Sequence, residues 1–222
     1  MGKNKLKHFA ENETFEKFIQ PSMDEVKYKL PLSGHWSGIL FDNNLPLVLE
    51  LACGKGEYTV GLARNYPGKN FIGIDRKGAR MWRGMKTAVG EQLPNVGFLR
   101  TRIDFLNQCF GRHEVSEIWI TFPDPQLKYK KTMRRLTSPF FLEMYKEILI
   151  PDGKIHLKTD NHQLYKFTLE TIKEQNHHLI LETNDLYNSG IKGEATDIQT
   201  YYEKIHLDEC LKIEYVVFCL NS

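Results

Sequence analysis

Long apolar stretches and cysteines are both scarce in this sequence, and each shortage excludes a class of protein. No apolar run approaches the roughly 20 residues that a membrane-spanning helix needs. The basic residues at the N-terminus are followed by no apolar segment, which argues against a secretory signal. The chain has four cysteines in 222 residues, none of them in a C-x-x-C pair, so neither a disulfide framework nor a zinc site is expected. We therefore expect a cytoplasmic protein with reduced thiols, no membrane partner and no bound metal.

Charge is nearly balanced over the whole chain but is concentrated locally. The formal net charge is +2 at pH 7. No acidic residue occurs between Pro125 and Leu142, and this segment carries the cations Lys128, Lys130, Lys131, Arg134 and Arg135. The first eight residues are also basic. Two such patches on a nearly neutral protein indicate a polyanionic partner. Alternatively, these basic residues form ordinary solvent-exposed surface segments without a partner.

Apolar runs bounded by glycine and polar residues alternate with helix-like segments after residue 45. Strands are predicted at 47–51, 70–75, 96–99, 117–121, 154–158 and 213–218. The alternation predicts an α/β fold with a mostly parallel sheet. We divide the chain into a basic N-terminal arm and lead-in, residues 1–45, and one domain, residues 46–222.

The second half of the chain carries clear helix boundaries. Ser138 is suited to the N-cap of a helix and Pro139 to its first position. A turn at 151–153 is expected to end that helix. Asp160 or Asn161 is expected to cap the next one.

The segment 50–57 places a carboxylate at the end of a strand and a glycine-containing turn before a helix. Gly54 and Gly56 would let the backbone approach a ligand closely. A pyrophosphate-binding fingerprint needs a third glycine, and Thr59 stands in its place. Glu50 is a poor neighbour for a pyrophosphate and suits a cation. S-adenosylmethionine carries a sulfonium and an amino group, so these residues predict a site for it. A purely structural turn is the alternative.

Acidic residues also follow the second and third predicted strands. Asp75 ends the strand at 70–75, where a carboxylate can accept hydrogen bonds from both ribose hydroxyls of an adenosine. Asp104 follows the third strand, where it can bind the exocyclic amine of adenine. The alternative for both side chains is helix capping.

The fourth predicted strand ends in Thr121-Phe122-Pro123-Asp124-Pro125. Each proline fixes its own φ and restricts the residue before it. Asp124 is therefore expected to be held at the edge of the cleft, just before the basic run.

With these residues the sequence resembles the bacterial tRNA (guanine-N7)-methyltransferases. The resemblance covers nearly the whole chain from about residue 45. It is carried by segments 50–57, 73–75, 103–104, 122–125, 130–136, 156–160 and 200–203. The F-P-D-P element followed by a basic loop and a later K-T-D is the specific part. Four positions depart from the family pattern: Gln126-Leu127 replaces Trp-Pro, Ala52 replaces a glycine, and Asp75 replaces a glutamate with its charge kept.

The resemblance implies a Rossmann-like class I methyltransferase fold, with helices flanking a mostly parallel sheet and an antiparallel C-terminal strand. It implies methyl transfer from S-adenosylmethionine, released as S-adenosylhomocysteine, to N7 of guanine in tRNA, at position 46 of the variable loop. By matching position, cofactor contacts would come from Glu50, Gly54, Gly56, Asp75, Asp104 and Asp124. Asp124 would also be the catalytic carboxylate. Substrate contacts would come from Lys128, Asp160, Thr200, Tyr201, Tyr202 and Glu203. RNA contacts would come from Lys130, Lys131, Arg134 and Arg135.

Several alternatives remain open at the level of the sequence. Thr200 and Glu203 also fit a capping box of T-x-x-E form. The chain could be a class I methyltransferase with a small-molecule or protein acceptor, or an RNA-binding protein with a relict cofactor fold. A nicotinamide oxidoreductase fits poorly because the third fingerprint glycine is absent. A monomer and a homodimer are both compatible with the sequence.

Overall fold

The computed structural model describes residues 2–221, with side chains from residue 5 onwards. Met1 and the side chain of Lys3, which belong to the predicted basic arm, lie outside the described part. The helices are α1 Gly2–Asn12, α2 Met23–Lys27, α3 Trp36–Phe41, α4 Glu57–Asn65, α5 Gly78–Gly90, α6 Leu106–Cys109, α7 Pro139–Ile148, α8 His162–Glu174, α9 Glu194–Asp197 and α10 Tyr201–Asp208. The strands are β1 Phe18–Ile19, β2 Leu47–Leu51, β3 Asn70–Asp75, β4 Val96–Arg100, β5 Val115–Thr121, β6 Leu149–Thr159, β7 His178–Thr183 and β8 Glu214–Cys219.

The strands form one sheet in the order β1-β4-β3-β2-β5-β6-β8-β7. The pairs from β1 to β6 are parallel, and β8 is antiparallel to both of its neighbours. This confirms the predicted α/β class and the antiparallel C-terminal strand. No helix within residues 2–221 is long and apolar enough to cross a bilayer.

Side chains of the central strands alternate between two buried layers. Leu47, Leu49 and Leu51 of β2 face the layer that contains α7 and α8, while Val48 faces the layer that contains α4 and α5. Strands covered on both faces read as continuous apolar runs, which is why β2 and β3 were predictable.

The chain reverses its direction of winding at β2. From β2 it proceeds outward through β3 and β4, and then returns to place β5 on the other side of β2. Adjacent parallel strands whose connections leave in opposite directions open a crevice at their carboxyl ends. The site is therefore expected beyond Leu51 and Thr121.

The predicted turn at 151–153 is wrong. Helix α7 ends at Ile148, and β6 runs without interruption from Leu149 to Thr159. The register between β5 and β6 shifts between Val115 and Glu117, and Asp152 has a left-handed φ of 60°. The proline and glycine therefore form an irregularity inside a strand.

The lead-in also contributes to the sheet, because Phe18 of β1 pairs with Phe98 of β4. The boundary at residue 45 stays a prediction. Strand β7 was not predicted, although Leu179, Ile180 and Leu181 form a short apolar run, because a run of this length does not by itself distinguish a strand from a helix segment.

Candidate active site

A cleft of about 1030 Å³ opens at the carboxyl ends of the central strands. Its lining includes the predicted residues Glu50, Gly54, Asp75, Asp104, Asp124, Lys131, Arg134, Thr200 and Tyr202. The other predicted residues, Gly56, Lys128, Lys130, Arg135, Asp160, Tyr201 and Glu203, are not part of that lining. Residues that are distant in sequence therefore meet at the predicted edge of the sheet.

The turn between β2 and α4 is left-handed at three alternate positions. Ala52, Gly54 and Gly56 have φ values of 58°, 58° and 71°. A Cβ on Gly54 would meet nothing closer than 4.0 Å, so this glycine leaves backbone open to the cleft. A Cβ on Gly56 would lie 2.5 Å from the Phe98 ring. Gly54 thus fits the predicted close approach of a ligand, whereas Gly56 is required for packing.

Ala52 occupies the position where the family that the sequence resembles has a glycine. A left-handed backbone costs a residue with a Cβ roughly 1–2 kcal/mol. The turn keeps its shape with alanine because the rest of the segment holds it: the amide of Cys53 donates to the Ile74 carbonyl at 3.0 Å, and the Gly56 amide donates to the Cys53 carbonyl at 2.8 Å.

Glu50 is a buried carboxylate at the base of the cleft. The Thr59 amide donates to one carboxylate oxygen at 2.7 Å, and the Thr59 hydroxyl donates to the same oxygen. The Thr121 hydroxyl donates to the other oxygen at 2.7 Å. Burial raises the pKa of Glu50 to about 7, although these hydrogen bonds oppose the rise. A buried carboxylate of this kind is suited to a cationic ligand group.

Thr59 was used in the sequence only to exclude a dinucleotide fingerprint. At the position of the third fingerprint glycine, Thr59 donates both its amide and its hydroxyl to Glu50. Thr121 supplies the third donor from the end of β5. Neither threonine was predicted, because a hydroxyl that orients a neighbouring carboxylate carries no distinctive sequence pattern.

Asp75 and Asp104 lie at the ends of the next two strands. Asp75 accepts hydrogen bonds from the amides of Gly54 at 3.1 Å and Lys77 at 2.8 Å, which ties β3 to the glycine turn. Asp104 lies in a 3₁₀ turn and pairs with Arg102 at 2.5 Å. Neither residue occupies the N-cap of the following helix, so the capping alternative does not hold for them.

Asp124 stands exposed at the mouth of the cleft. One of its oxygens accepts a hydrogen bond from the Gln126 amide at 3.1 Å. Phe122 and Gln126 on either side have left-handed φ values of 47° and 48°. The Phe122 amide still donates to the Lys158 carbonyl at 2.9 Å, so the loop leaves the sheet just after this bond. Backbone strain of this type is typical of residues held for function.

A fully buried ion pair joins the end of β6 to α10. Lys158 Nζ lies 2.7 Å from Glu203 Oε1, and neither side chain is exposed. Lys158 also donates to the carbonyls of Ala195 at 2.6 Å and Ile198 at 3.4 Å. Tyr187 donates its hydroxyl to Glu203 at 2.7 Å. Burial lowers the pKa of Lys158, and the nearby carboxylate of Glu203 opposes this shift.

The prediction that Glu203 contacts the substrate directly is therefore wrong, because its carboxylate is buried and already bonded to Lys158 and Tyr187. With Thr200 it forms the capping box that the sequence left open. The first amide of α10, on Tyr201, donates to Glu57 at 2.8 Å. Lys55 of the glycine turn lies 4.6 Å from the Tyr201 ring centroid and 5.6 Å from that of Tyr202. Both tyrosines are exposed.

The basic loop divides into exposed and buried cations. Lys128, Lys130, Lys131 and Arg134 are exposed. Arg135 is only 5% exposed, donates to the Pro125 carbonyl at 3.1 Å and lies over the Phe167 ring at 4.5 Å. The prediction that Arg135 contacts RNA is corrected: it holds the loop against α8.

Asp160 is not the N-cap of α8. Asn161 occupies that position and accepts a hydrogen bond from the Leu164 amide at 2.9 Å. Asp160 instead lies exposed, 3.7 Å from the His206 ring. Ser138 does occupy the N-cap of α7, but its hydroxyl donates to the Met133 carbonyl and accepts no cap hydrogen bond.

Cations just before and within the first turn of α5 were missed altogether. Arg76, Lys77 and Arg80 line the cleft. The signal was present, since residues 76–90 contain several cations and no acidic residue.

Comparison with known proteins is consistent with this geometry. A family model described as "Putative methyltransferase" matches residues 44–210. The chain is 52% identical to a tRNA (guanine-N(7)-)-methyltransferase of Christiangramia forsetii, over 97% of each chain. It is 44% identical to one of Bacteroides fragilis, over 99% of this chain and 87% of that one. The crystal structure of the 16S rRNA methyltransferase KamB shares the fold, with a TM-score of 0.60 and 15% identity over 80% of this chain and 88% of that one.

The buried ion pair generates a prediction about stability. Lys158→Met leaves the Glu203 carboxylate buried without its cation, and we expect the free energy of unfolding to fall by about 3–5 kcal/mol. The same substitution at the exposed Lys154 of β6 is the matched control, with an expected change within about 0.5 kcal/mol. Urea unfolding followed by circular dichroism measures both. Equal effects of the two substitutions would show that the pair does not anchor α10.

Proposed function

The chain belongs to the tRNA (guanine-N7)-methyltransferase family, and on that premise we propose that it transfers a methyl group from S-adenosylmethionine to N7 of guanine 46 in the variable loop of tRNA, in the cytoplasm. Family membership sets aside the alternatives of a small-molecule or protein acceptor and of a relict cofactor fold. The observation that carries the site assignment is the buried carboxylate of Glu50 beside the open backbone of Gly54, with Asp124 in the same cleft.

The cleft residues fit the proposed cofactor. Glu50 would receive its amino group, Gly54 would allow its close approach, and Asp75 and Asp104 would bind the ribose and adenine. Asp124 would contact it at the mouth of the cleft. When bound, the cofactor supplies an electrophilic methyl group on a positively charged sulfur.

The residues of the chain then have to position the acceptor, because guanine N7 has a lone pair and no proton to lose. No general base is required at that atom, and correct placement supplies much of the rate. Asp124 is proposed to accept hydrogen bonds from the guanine N1–H and amino group. Its negative charge would also stabilise the positive charge that develops on the purine. Asp160 is proposed as a second carboxylate for the same base, since it is exposed and does not cap α8.

Cations and aromatic side chains around the cleft are proposed to hold the RNA. Lys128 is assigned to the substrate, and Lys130, Lys131 and Arg134 to phosphates, which give affinity and salt sensitivity without reading sequence. Thr200, Tyr201 and Tyr202 are assigned to the substrate at the start of α10. The exposed rings of the two tyrosines offer surfaces for base stacking.

The pKa of Glu50 generates a prediction about pH. A cation near Glu50 favours the ionised carboxylate, so ligand affinity should rise as pH passes upward through about 7. We expect S-adenosylhomocysteine to bind about tenfold more tightly at pH 8 than at pH 6, from the change in ionised fraction alone. Isothermal titration calorimetry at both values measures this. Glu50→Gln is the control that isolates titration of the ligand's own amine, and an identical pH dependence in that variant would contradict the assignment.

For the chemical step, Asp124→Asn is expected to lower kcat by about 10²–10³ while S-adenosylhomocysteine still binds. The variant keeps the side-chain shape but loses the charge. Asp152→Asn, at an exposed site near the opposite end of β6, is the matched control and should leave kcat unchanged. Single-turnover methyl transfer to tRNA measures both. A near-normal rate for Asp124→Asn would remove its catalytic role.

The target position is tested with two tRNA transcripts that differ only in nucleotide 46. Labelled methyl groups should be incorporated into the transcript with guanine there, and not into the one with adenine. Equal incorporation into both transcripts would refute position 46 and leave the reaction class intact.

A further inference from the structure

The start of α5 carries a further basic run that the proposed function does not use. Residues 76–90 include the cations Arg76, Lys77, Arg80, Arg83 and Lys86, and no carboxylate. This density matches that of the basic loop between Pro125 and Leu142. Because the net charge of the whole chain is only +2, an excess of acidic residues elsewhere must offset these cations.

These cations follow β3 and the basic loop follows β5, and these two strands lie on opposite sides of β2. Arg76, Lys77 and Arg80 contribute to the same lining as Lys131 and Arg134. The cleft is therefore bounded by cations on two walls that come from different parts of the chain.

Four of the five cations are free to bind an external anion. Arg76, Lys77, Arg80 and Arg83 are exposed, and within residues 5–221 none has a carboxylate oxygen within 4.0 Å. Lys86 is the exception, because Glu11 pairs with it at 2.7 Å.

Helix α1 extends this surface away from the cleft. His8 stacks on Trp82 with ring centroids 3.9 Å apart, and Glu11 accepts a hydrogen bond from the Trp82 indole at 2.9 Å. The Asn12 amide donates to the Gly78 carbonyl at 3.0 Å. These contacts fix α1 on α5 with Lys5 and Lys7 exposed.

The placement of the cations is unfavourable for the isolated protein. Arg80 lies in the first turn of α5 and Arg76 and Lys77 come just before it, where the helix dipole presents positive charge and the first turn carries no acidic residue. Like charges also face one another across the cleft. Binding of an anion there would relieve both the unfavourable interaction with the helix dipole and the repulsion between like charges.

The size of the surface points to a polyanion. Arg76 precedes α5 and Arg83 is its sixth residue, so the cations extend over more than one helical turn. Lys5 and Lys7 lie on a second helix beyond them. One small anion cannot contact all of these groups, whereas the successive phosphates of a nucleic acid can.

We propose that the exposed face formed by α1 and the start of α5 is a second phosphate-binding surface for tRNA. This inference rests on the proposed function and adds to it: the RNA backbone is held on both walls of the cleft, with the target base between them. The surface reads charge and shape, not sequence.

The test compares Lys7→Gln/Arg83→Gln with the control Lys166→Gln/Lys173→Gln, which removes two exposed lysines from α8. Neither residue of the first pair lines the cleft, so the affinity for S-adenosylhomocysteine should be unchanged. We expect the first variant to bind an unmodified tRNA transcript roughly tenfold more weakly at 150 mM salt. Its slope of log affinity against log salt should be smaller by about 2. The control should match the wild type.

Two outcomes would overturn the proposal. One is wild-type tRNA affinity and salt slope in Lys7→Gln/Arg83→Gln, and the other is an equal loss in the α8 control. Methyl transfer by the wild type to the same transcript is measured in parallel. Its absence would count against the proposed function, whereas methylation with unchanged affinity in the variant would count against this surface alone.

Discussion

The architecture around the cleft depends on the buried ion pair between Lys158 and Glu203. A lysine and a glutamate without solvent contact are stable only when each satisfies the other, because an unpaired buried charge costs several kcal/mol. Lys158 is the next-to-last residue of β6, beside β5, and Glu203 lies in the first turn of α10. The pair therefore fixes the start of α10 at the carboxyl edge of the sheet. The two carbonyl contacts of Lys158 hold the preceding segment in the same place.

Helix α10 is held from a second side by the glycine turn. Glu57, the first residue of α4, accepts the Tyr201 amide, and Lys55 lies over the adjacent tyrosine rings. The segment proposed to bind the cofactor and the segment proposed to bind guanine thus share direct contacts. In consequence, residues near one ligand influence the geometry offered to the other. Positioning of this kind is what a reaction without a required base at the accepting atom needs.

The sequence predicted the fold best where local pattern and tertiary environment agree. Strand β3 was predicted with the bounds that the structure has, since it is buried on both faces and its apolar run is continuous. The turn at 151–153 was predicted wrongly because proline and glycine suit both a turn and a strand irregularity, and only the pairing with β5 distinguishes them. Strand β7 was missed although its Leu179-Ile180-Leu181 run is visible, because so short an apolar run suits a helix as well as a strand.

Within the candidate site, the sequence identified which residues are unusual but not which way they face. Glu203 and Arg135 carry charges that suggest ligand contact, yet both are buried and paired with protein groups. Burial of a charged side chain depends on partners far along the chain, which no local spacing reveals. The basic face of α5 was overlooked for a different reason, because its composition was readable but its position beside the cleft was not.

Methylation of an unmodified tRNA transcript, followed by chemical mapping, tests the central claim most directly. After reaction with labelled S-adenosylmethionine, borohydride and aniline treatment cuts the RNA chain at N7-methylguanine. We expect a single cut, in the variable loop, that depends on the enzyme. Label incorporated into the RNA without such a cut would contradict transfer to guanine N7.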